Sequence, residues 1–373
     1  MKRLDCHVHY AMPIEPTKMI SLMEQSKADF FNLVLVPERQ FISSICDALV
    51  LKDIAKGKCY VFSSLDVSKY FMKPKTLGKE FAKYAKTLKE MGADGIKLIE
   101  GKPNMRKSLP IPDFDMEVWD PFWAYCETEN FPILMHVNDP EEFWDKNKIP
   151  TWAKSQGWYY DETYTTNDAQ YSQLLNVLKK HPNLHIIFAH FFFMSKQLDR
   201  IGKILDTYPN VMIDLTPGIE MYINLQNDLK ASKEFFLKYQ DRIIYGTDIG
   251  ARAVIEGQPL NDKECLDRAD IVQGFLEKDS LHVVADGNFL VGMEDFDLKG
   301  LKLEESVLEK IYYLNFKRMV GDIAPINSKK VIKEAKRLKK TIFIMSIFDK
   351  KVKRDFTYLN RAIDYFKHKK EEK

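Results

Sequence analysis

Short apolar runs alternate with stretches of helical spacing along most of this 373-residue chain. The strand candidates are residues 3–10 (RLDCHVHY), 30–37 (FFNLVLVP), 58–67 (KCYVFSSLDV) and 94–101 (DGIKLIEG). They continue with 131–139 (FPILMHVND), 184–190 (LHIIFAH), 210–216 (NVMIDLT) and 242–248 (RIIYGTD). Several are apolar at nearly every position, as in parallel strands covered on both faces. Helical stretches follow them at 16–28, 41–56, 77–91, 115–129, 168–181, 195–207, 229–239 and 303–320. In LGKEFAKYAKTLKEMG (77–92), Phe81, Tyr84, Ala85 and Leu88 recur at helical spacing and Gly92 supplies the stop. Eight strand-then-helix units predict an α/β fold, a (β/α)8 TIM barrel over residues 1–322. A doubly wound sheet would call for a glycine-rich turn after the first strand, and HYAMPIEP has none.

Composition adds one boundary. The net charge of +2 argues against a polyanion as the main partner. Residues 326–373 nevertheless hold 16 Lys and Arg against 6 Asp and Glu, which leaves the rest of the chain acidic. INSKKVIKEAKRLKK and FTYLNRAIDYFKHKK read as basic amphipathic helices, so residues 323–373 form a separate helical extension. Docking on the acidic barrel or on a partner subunit is the expected use, with no nucleic acid and no membrane as partner. Five scattered cysteines with no CxxC pair suggest neither a disulfide framework nor a thiolate knuckle. They fit a reducing compartment. No signal peptide precedes the first strand, and TIFIMSIF (341–348) is too short to span a bilayer. The reading is a cytoplasmic protein, with a homo-oligomer left open.

The polar residues at strand ends carry the chemistry. Active sites of such barrels lie at the C-terminal ends of the strands. His7 and His9 end the first strand, Lys97 lies in the fourth, His136 ends the fifth, His190 the sixth and Asp248 the eighth. Strict alternation puts Asp5, His7 and His9 on one face and Cys6 and Val8 on the other. Singly, each histidine fits a satisfied core residue, and Asp248 fits a cap or a turn. Jointly, four imidazoles and a carboxylate match the ligand types of a zinc-type catalytic ion. Asp248 would then move a proton, and His190 would hold a water or polarise a carbonyl. His181, His185, His282 and His368 lie elsewhere and read as surface or packing residues.

HVH after the first strand, GIKL in the fourth, MHVNDPEEF, FAHF and YQDRIIYGTD together resemble the amidohydrolase superfamily. More narrowly they resemble its amidohydrolase 2 branch, which holds aminocarboxymuconate semialdehyde decarboxylase and many metal-dependent hydrolases. The resemblance runs over about residues 1–322, including LEKIYYLNFKRMVG. It implies that His7, His9, His136 and Asp248 bind one divalent ion, usually zinc, with manganese or another ion as the alternative. It also implies a catalytic or water-orienting role for His190. Lys97 occupies the position of a lysine that bridges two metals in binuclear members; the plainer reading is an interior lysine that pairs with a carboxylate or contacts an anionic substrate.

Two long loops should choose the substrate. Residues 139–164 follow the fifth strand and carry Trp144, Trp152 and Trp158, with Tyr159 and Tyr160 directly after. Loops of this length are functional or disordered, and the aromatic content argues against disorder. We expect a lid over the barrel mouth, with Trp144 and Trp158 as substrate contacts; an aromatic plug is the alternative. A second insertion, 249–302, follows Asp248, and Arg252 in it would face an anionic substrate group or sit in a structural ion pair. The expected activity is metal-dependent hydrolysis of a small amide, lactone or ester. Non-oxidative decarboxylation of a small carboxylated aromatic or muconate-like compound uses the same site, and a catalytically silent binding barrel is the remaining alternative.

Overall fold

The structure is a computed structural model that describes residues 1–11, 14–37, 43–284, 294–348, 350 and 352–371. Eight parallel strands pair in sequence order: β1 (Leu4–His9), β2 (Phe30–Val34), β3 (Cys59–Ser63), β4 (Gly95–Gly101), β5 (Ile133–Val137), β6 (Ile186–Phe188), β7 (Val211–Asp214) and β8 (Ile243–Ile244). Backbone bonds from Cys6 N to Tyr245 O (3.0 Å), Asp248 N to His7 O (2.9 Å) and His9 N to Ile249 O (2.7 Å) join β8 back to β1. The result is the expected (β/α)8 TIM barrel. The helix Leu77–Met91 buries Phe81, Tyr84, Ala85 and Leu88 and ends at Gly92, whose φ of 105° suits glycine.

The barrel interior has two storeys. Leu4, Cys6, Tyr60, Phe62, Leu134, Ile187, Met212 and Ile244 form an apolar floor, closed from below by Phe316 and Met319. The stretch 303–320, expected as a helix, is helical over 305–320 and reaches under the barrel, where Phe316 meets Tyr60 at 5.2 Å and Phe62 at 6.0 Å between ring centroids. The upper storey is polar, with His7, Lys97, His136 and Asp214 each buried.

Simple alternation fails in β1. Its pairing with β2 runs from Asp5 opposite Phe31 to Val8 opposite Leu33, so one extra residue sits on β1. This β-bulge resets the period of two. Cys6 joins Leu4 in the floor, and Val8 packs with the outer core. Asp5 turns to Thr247 instead, accepting from its N–H at 3.1 Å and its hydroxyl at 2.5 Å. Asp5 therefore ties β1 to β8, and does not share a face with His7 and His9.

Neither long segment is featureless. Residues 139–164 hold short helical turns at Glu141–Trp144 and Thr151–Ser155 around a small core of Phe143, Ala153, Trp158 and Tyr160. The insertion after β8 holds helices Ala251–Glu256 and Asp262–Glu277 and a hairpin of β9 (Ser280–Val283) with β10 (Phe296–Lys299). Its residues 285–293 lie outside the described residues. The basic extension forms helices Ser328–Phe348 and Thr357–Glu371, whose Val331, Leu338, Ile363 and Phe366 join the outer core of the barrel. Its charges meet carboxylates of the barrel: Arg361 bonds Asp47 (2.6 and 2.8 Å) and Glu15 (2.8 Å), and Tyr365 donates to Asp53 (2.8 Å). No helix among the described residues is long and apolar enough to cross a membrane.

Candidate active site

At the mouth of the barrel His7, His9 and Asp248 offer ligand atoms that all lie within 4.8 Å of one another. His7 Nδ1 is 2.8 Å from Asp214 Oδ2, at the end of β7. A carboxylate can only accept there, so Nδ1 carries the proton and Nε2 presents its lone pair. His7 Nε2 stands 3.3 Å from His9 Nε2 and 3.5 Å from Asp248 Oδ1. His9 Nε2 is 3.2 Å from the same oxygen. Asp248 Oδ1 and His9 Nδ1 are buried without a hydrogen-bond partner. An orphaned carboxylate oxygen facing two imidazole nitrogens is a donor set that fits a divalent cation of the zinc class.

Burial pushes the imidazoles down, His136 and His190 to about 4. His7 and His9 move in the same direction, again chiefly through burial. Burial works the other way on Asp248, yet the facing His9, His190 and His7 hold its carboxyl well below the usual carboxylate range. The set at pH 7 is therefore neutral imidazoles around one ionised carboxylate.

His190 and His136 stand beside this cluster, not in it. The His136 ring centroid is 5.0 Å from that of His190, and the His190 centroid 5.6 Å from that of His7. His136 Nε2 lies 2.8 Å from Asn138 O and 3.3 Å from Asp139 Oδ1. His190 Nδ1 lies 3.2 Å from Thr216 O and 3.0 Å from Thr216 Oγ1. The carbonyl can only accept, so Nδ1 bears the proton and Nε2 is left as an acceptor. Asp214 serves both histidines, since its other oxygen accepts from the His190 backbone N–H at 2.8 Å.

The chain leaves three strands by left-handed backbone at non-glycine residues: Asn138 (φ 68°), His190 (φ 56°) and Asp248 (φ 61°). After β6 the conformation continues through Phe191, Phe192 and Phe193, with φ of 55°, 58° and 53°. Such a run costs about 1–2 kcal/mol per residue. Packing offsets it: Phe192 stacks on Phe188 at 3.8 Å, and its carbonyl accepts from the Tyr171 hydroxyl at 2.9 Å. Close approach matters on the other side of β5. A Cβ at Gly101 would stand 2.2 Å from His136 O, so only glycine lets β4 pass that close.

Lys97 is buried and its Nζ lies 3.0 Å from His7 Nε2; burial lowers its pKa to about 8. The partner within the chain is thus a histidine of the cluster and not a carboxylate, one of the partners expected. Arg252 sits one turn past Asp248, but Ala251, Val254 and Ile255 are the residues of its helix that line the cavity. The arginine that meets Asp248 is Arg268, fully buried, 3.2 Å from Oδ2 and also paired with Glu264. It comes from the insertion helix, and nothing in the spacing announced it. Asp214 was more legible, as a carboxylate ending the strand NVMIDLT.

Above the cluster lies a cavity of about 140 Å³, bordered by His9, His136, His190 and Asp248. Its walls are largely apolar, with Val36, Ile99, Phe143, Trp152, Trp158 and Phe193 among them. Trp158 lines it as expected. Trp144 does not: its indole N–H donates to Thr165 O (3.3 Å) and its ring packs on Tyr160 at 4.7 Å, within the lid's own core. Trp152 and Phe143 take the place in the wall. Lys102 enters the cavity from the end of β4 and is held by both Asp139 oxygens at 2.7 Å, with the Trp158 ring 4.4 Å away.

The amidohydrolase family model matches residues 77–321. An amidohydrolase II structure is similar at 14% identity and a TM-score of 0.51, covering 86% of this chain and 100% of that one. An uncharacterised TIM-barrel protein from Bordetella bronchiseptica is similar at 15% identity and a TM-score of 0.52, covering 86% and 98%. The apo form of an IDCase from Metarhizium anisopliae follows at 12% identity and a TM-score of 0.50, covering 86% and 97%. No curated protein in the comparison matches the chain.

Proposed function

The chain belongs to the amidohydrolase family, and from that premise we propose that it is a metal-dependent hydrolase of a small amide, lactone or ester. The observation that carries the reading is the convergence of His7, His9 and Asp248 within 4.8 Å under an apolar-walled cavity. These three residues would hold one divalent ion, zinc being the natural choice for two nitrogens and an oxygen. His136 would join them through Nδ1, because Asn138 occupies the neighbourhood of Nε2. An ion held there supplies Lewis acidity and lowers the pKa of a water toward about 7.

The chain's own residues do the rest. Asp248 is ionised and has Oδ2 held by Arg268, so it can accept a proton from the attacking water and pass it to the leaving group. His190, with Nδ1–H given to Thr216, orients that water by accepting from it at Nε2. This tautomer has no proton to offer a substrate carbonyl, so of the two roles expected for His190 the water-holding one is favoured. Trp152, Trp158 and Phe143 exclude bulk water from the reacting groups.

Charge in the cavity favours hydrolysis over decarboxylation. A decarboxylation substrate brings a carboxylate, and Lys102, the cationic side chain among the described lining residues, is already committed to Asp139. The test is metal analysis of the purified full chain, followed by assay of the zinc-loaded protein on amides, lactones and esters beside a carbon dioxide release assay on carboxylated aromatics. One equivalent of metal and hydrolysis lost in Asp248→Asn are expected. Carbon dioxide release without hydrolysis would replace the proposal by the decarboxylase, and a chain that binds no divalent metal would leave a silent barrel.

A further inference from the structure

One carboxylate in the cavity wall has no part in the chemistry above. Glu220 lies just past β7, in the stretch TPGIE. It lines the cavity with His190 and Lys102, and it also borders the adjoining shallow cleft beside Lys196 and Asn224. Its side chain makes no hydrogen bond or ion pair to another described residue. The carboxylate folds back over Gly218, where a Cβ would stand 2.2 and 2.5 Å from its two oxygens. Glycine at 218 therefore leaves the space in which this carboxylate sits.

The cations around it are taken. Lys102 is bound by both oxygens of Asp139, and Lys196 pairs with Glu142. The remaining walls are rings and aliphatic side chains: Phe143, Trp152, Trp158, Phe193, Val254 and Ile255. Burial raises the Glu220 carboxyl to about 7, against the lowering effect of a hydrogen bond from its own backbone N–H. A half-buried carboxylate that takes no donor from another described residue gains from a ligand that brings one. Aromatic walls add attraction for a cation and none for a second carboxylate.

We propose that Glu220 is a specificity residue that receives a protonated amine or comparable hydrogen-bond donor of the substrate, so that the enzyme acts on a small apolar-bodied compound carrying such a group and rejects dicarboxylates. The inference rests on the metal-dependent hydrolase reading and narrows its substrate class. It is tested on the zinc-loaded full chain with three benzohydroxamates, whose hydroxamate seeks the metal and whose para group is aminomethyl, methyl or carboxylate. Binding is read by calorimetry, with metal-free protein as the control.

The aminomethyl probe should bind tightest, about tenfold or more ahead of the carboxylate probe. E220Q should bring the two within about threefold of each other while keeping one equivalent of metal and the wild-type Tm. G218A should act in the same direction by displacing the carboxylate, and it serves if E220Q does not fold. Metal-dependent binding in which the aminomethyl probe is not the tightest, or in which its lead survives both variants, overturns this inference alone. No metal-dependent binding by any of the three overturns the hydrolase reading and the inference with it.

Discussion

Asp214→Asn changes one atom and should weaken the site's hold on a metal. Asp214 Oδ1 accepts from the His190 N–H (2.8 Å), the Thr216 N–H (3.1 Å) and the Thr216 hydroxyl (2.5 Å), while Oδ2 accepts from His7 Nδ1 (2.8 Å). In the asparagine variant the amide oxygen must stay with the three donors, since an NH2 group there would face them all. The amide NH2 then turns to His7 Nδ1. A donor at that position makes Nδ1 the acceptor and moves the ring proton to Nε2, the nitrogen that faces His9 and Asp248. A protonated Nε2 has no lone pair for an ion. Loss of such an orienting partner lowers metal affinity by about 10–100-fold, or about 1.4–2.8 kcal/mol. The assay is zinc competition with a chromophoric chelator on wild-type and variant chains, with far-UV circular dichroism and urea unfolding of the metal-free forms as folding controls. A variant that folds like the wild type and holds zinc within about threefold of its affinity would refute the tautomer argument.

Two further predictions concern stability. Glu100 is buried, and burial raises its carboxyl from 4.5 to about 7. The folded chain thus holds a proton that the unfolded chain releases, so this contribution is full below 4.5 and is lost as pH rises toward 7. E100Q should match the wild type near pH 4.5 and exceed it by about 3 kcal/mol at pH 8, read from urea unfolding; a pH-independent difference would contradict this. Arg361→Ala should destabilise the protein by about 1–3 kcal/mol, because among the described side chains the buried Asp47 would keep only the Tyr10 hydroxyl, at 2.5 Å. Lys302→Ala, which removes an exposed pair with Asp279, should change urea stability by less than about 1 kcal/mol, and equal effects of the two would show that the extension is not held by Arg361.

Much of the architecture was legible because it is local. Phe81, Tyr84, Ala85 and Leu88 face the core wherever the helix Leu77–Met91 is placed, since 3.6-residue periodicity needs only neighbours within a few positions. The apolar strands followed from the same kind of signal, and the long aromatic segment after β5 from its length and composition. Strand-end position likewise singled out His7, His9, His136, His190 and Asp248 as candidates before any contact was known. Local reasoning failed where a single extra residue entered β1, because a bulge is visible only against the partner strand. It failed again at Trp144, since aromatic content does not say which ring faces the cavity and which fills the lid.

By itself, then, the amino-acid order determined the element types, the barrel and the strand ends that carry imidazole and carboxylate. Tertiary structure alone decided what those groups do to one another. The Asp214 oxygen that sets the His7 tautomer lies 207 positions away along the chain, and Arg268 reaches Asp248 from a helix inserted after the last strand. Tautomer, ionisation and ligand geometry depend on distances of a few ångströms and on exclusion of water. Both arise only when distant segments close around one another.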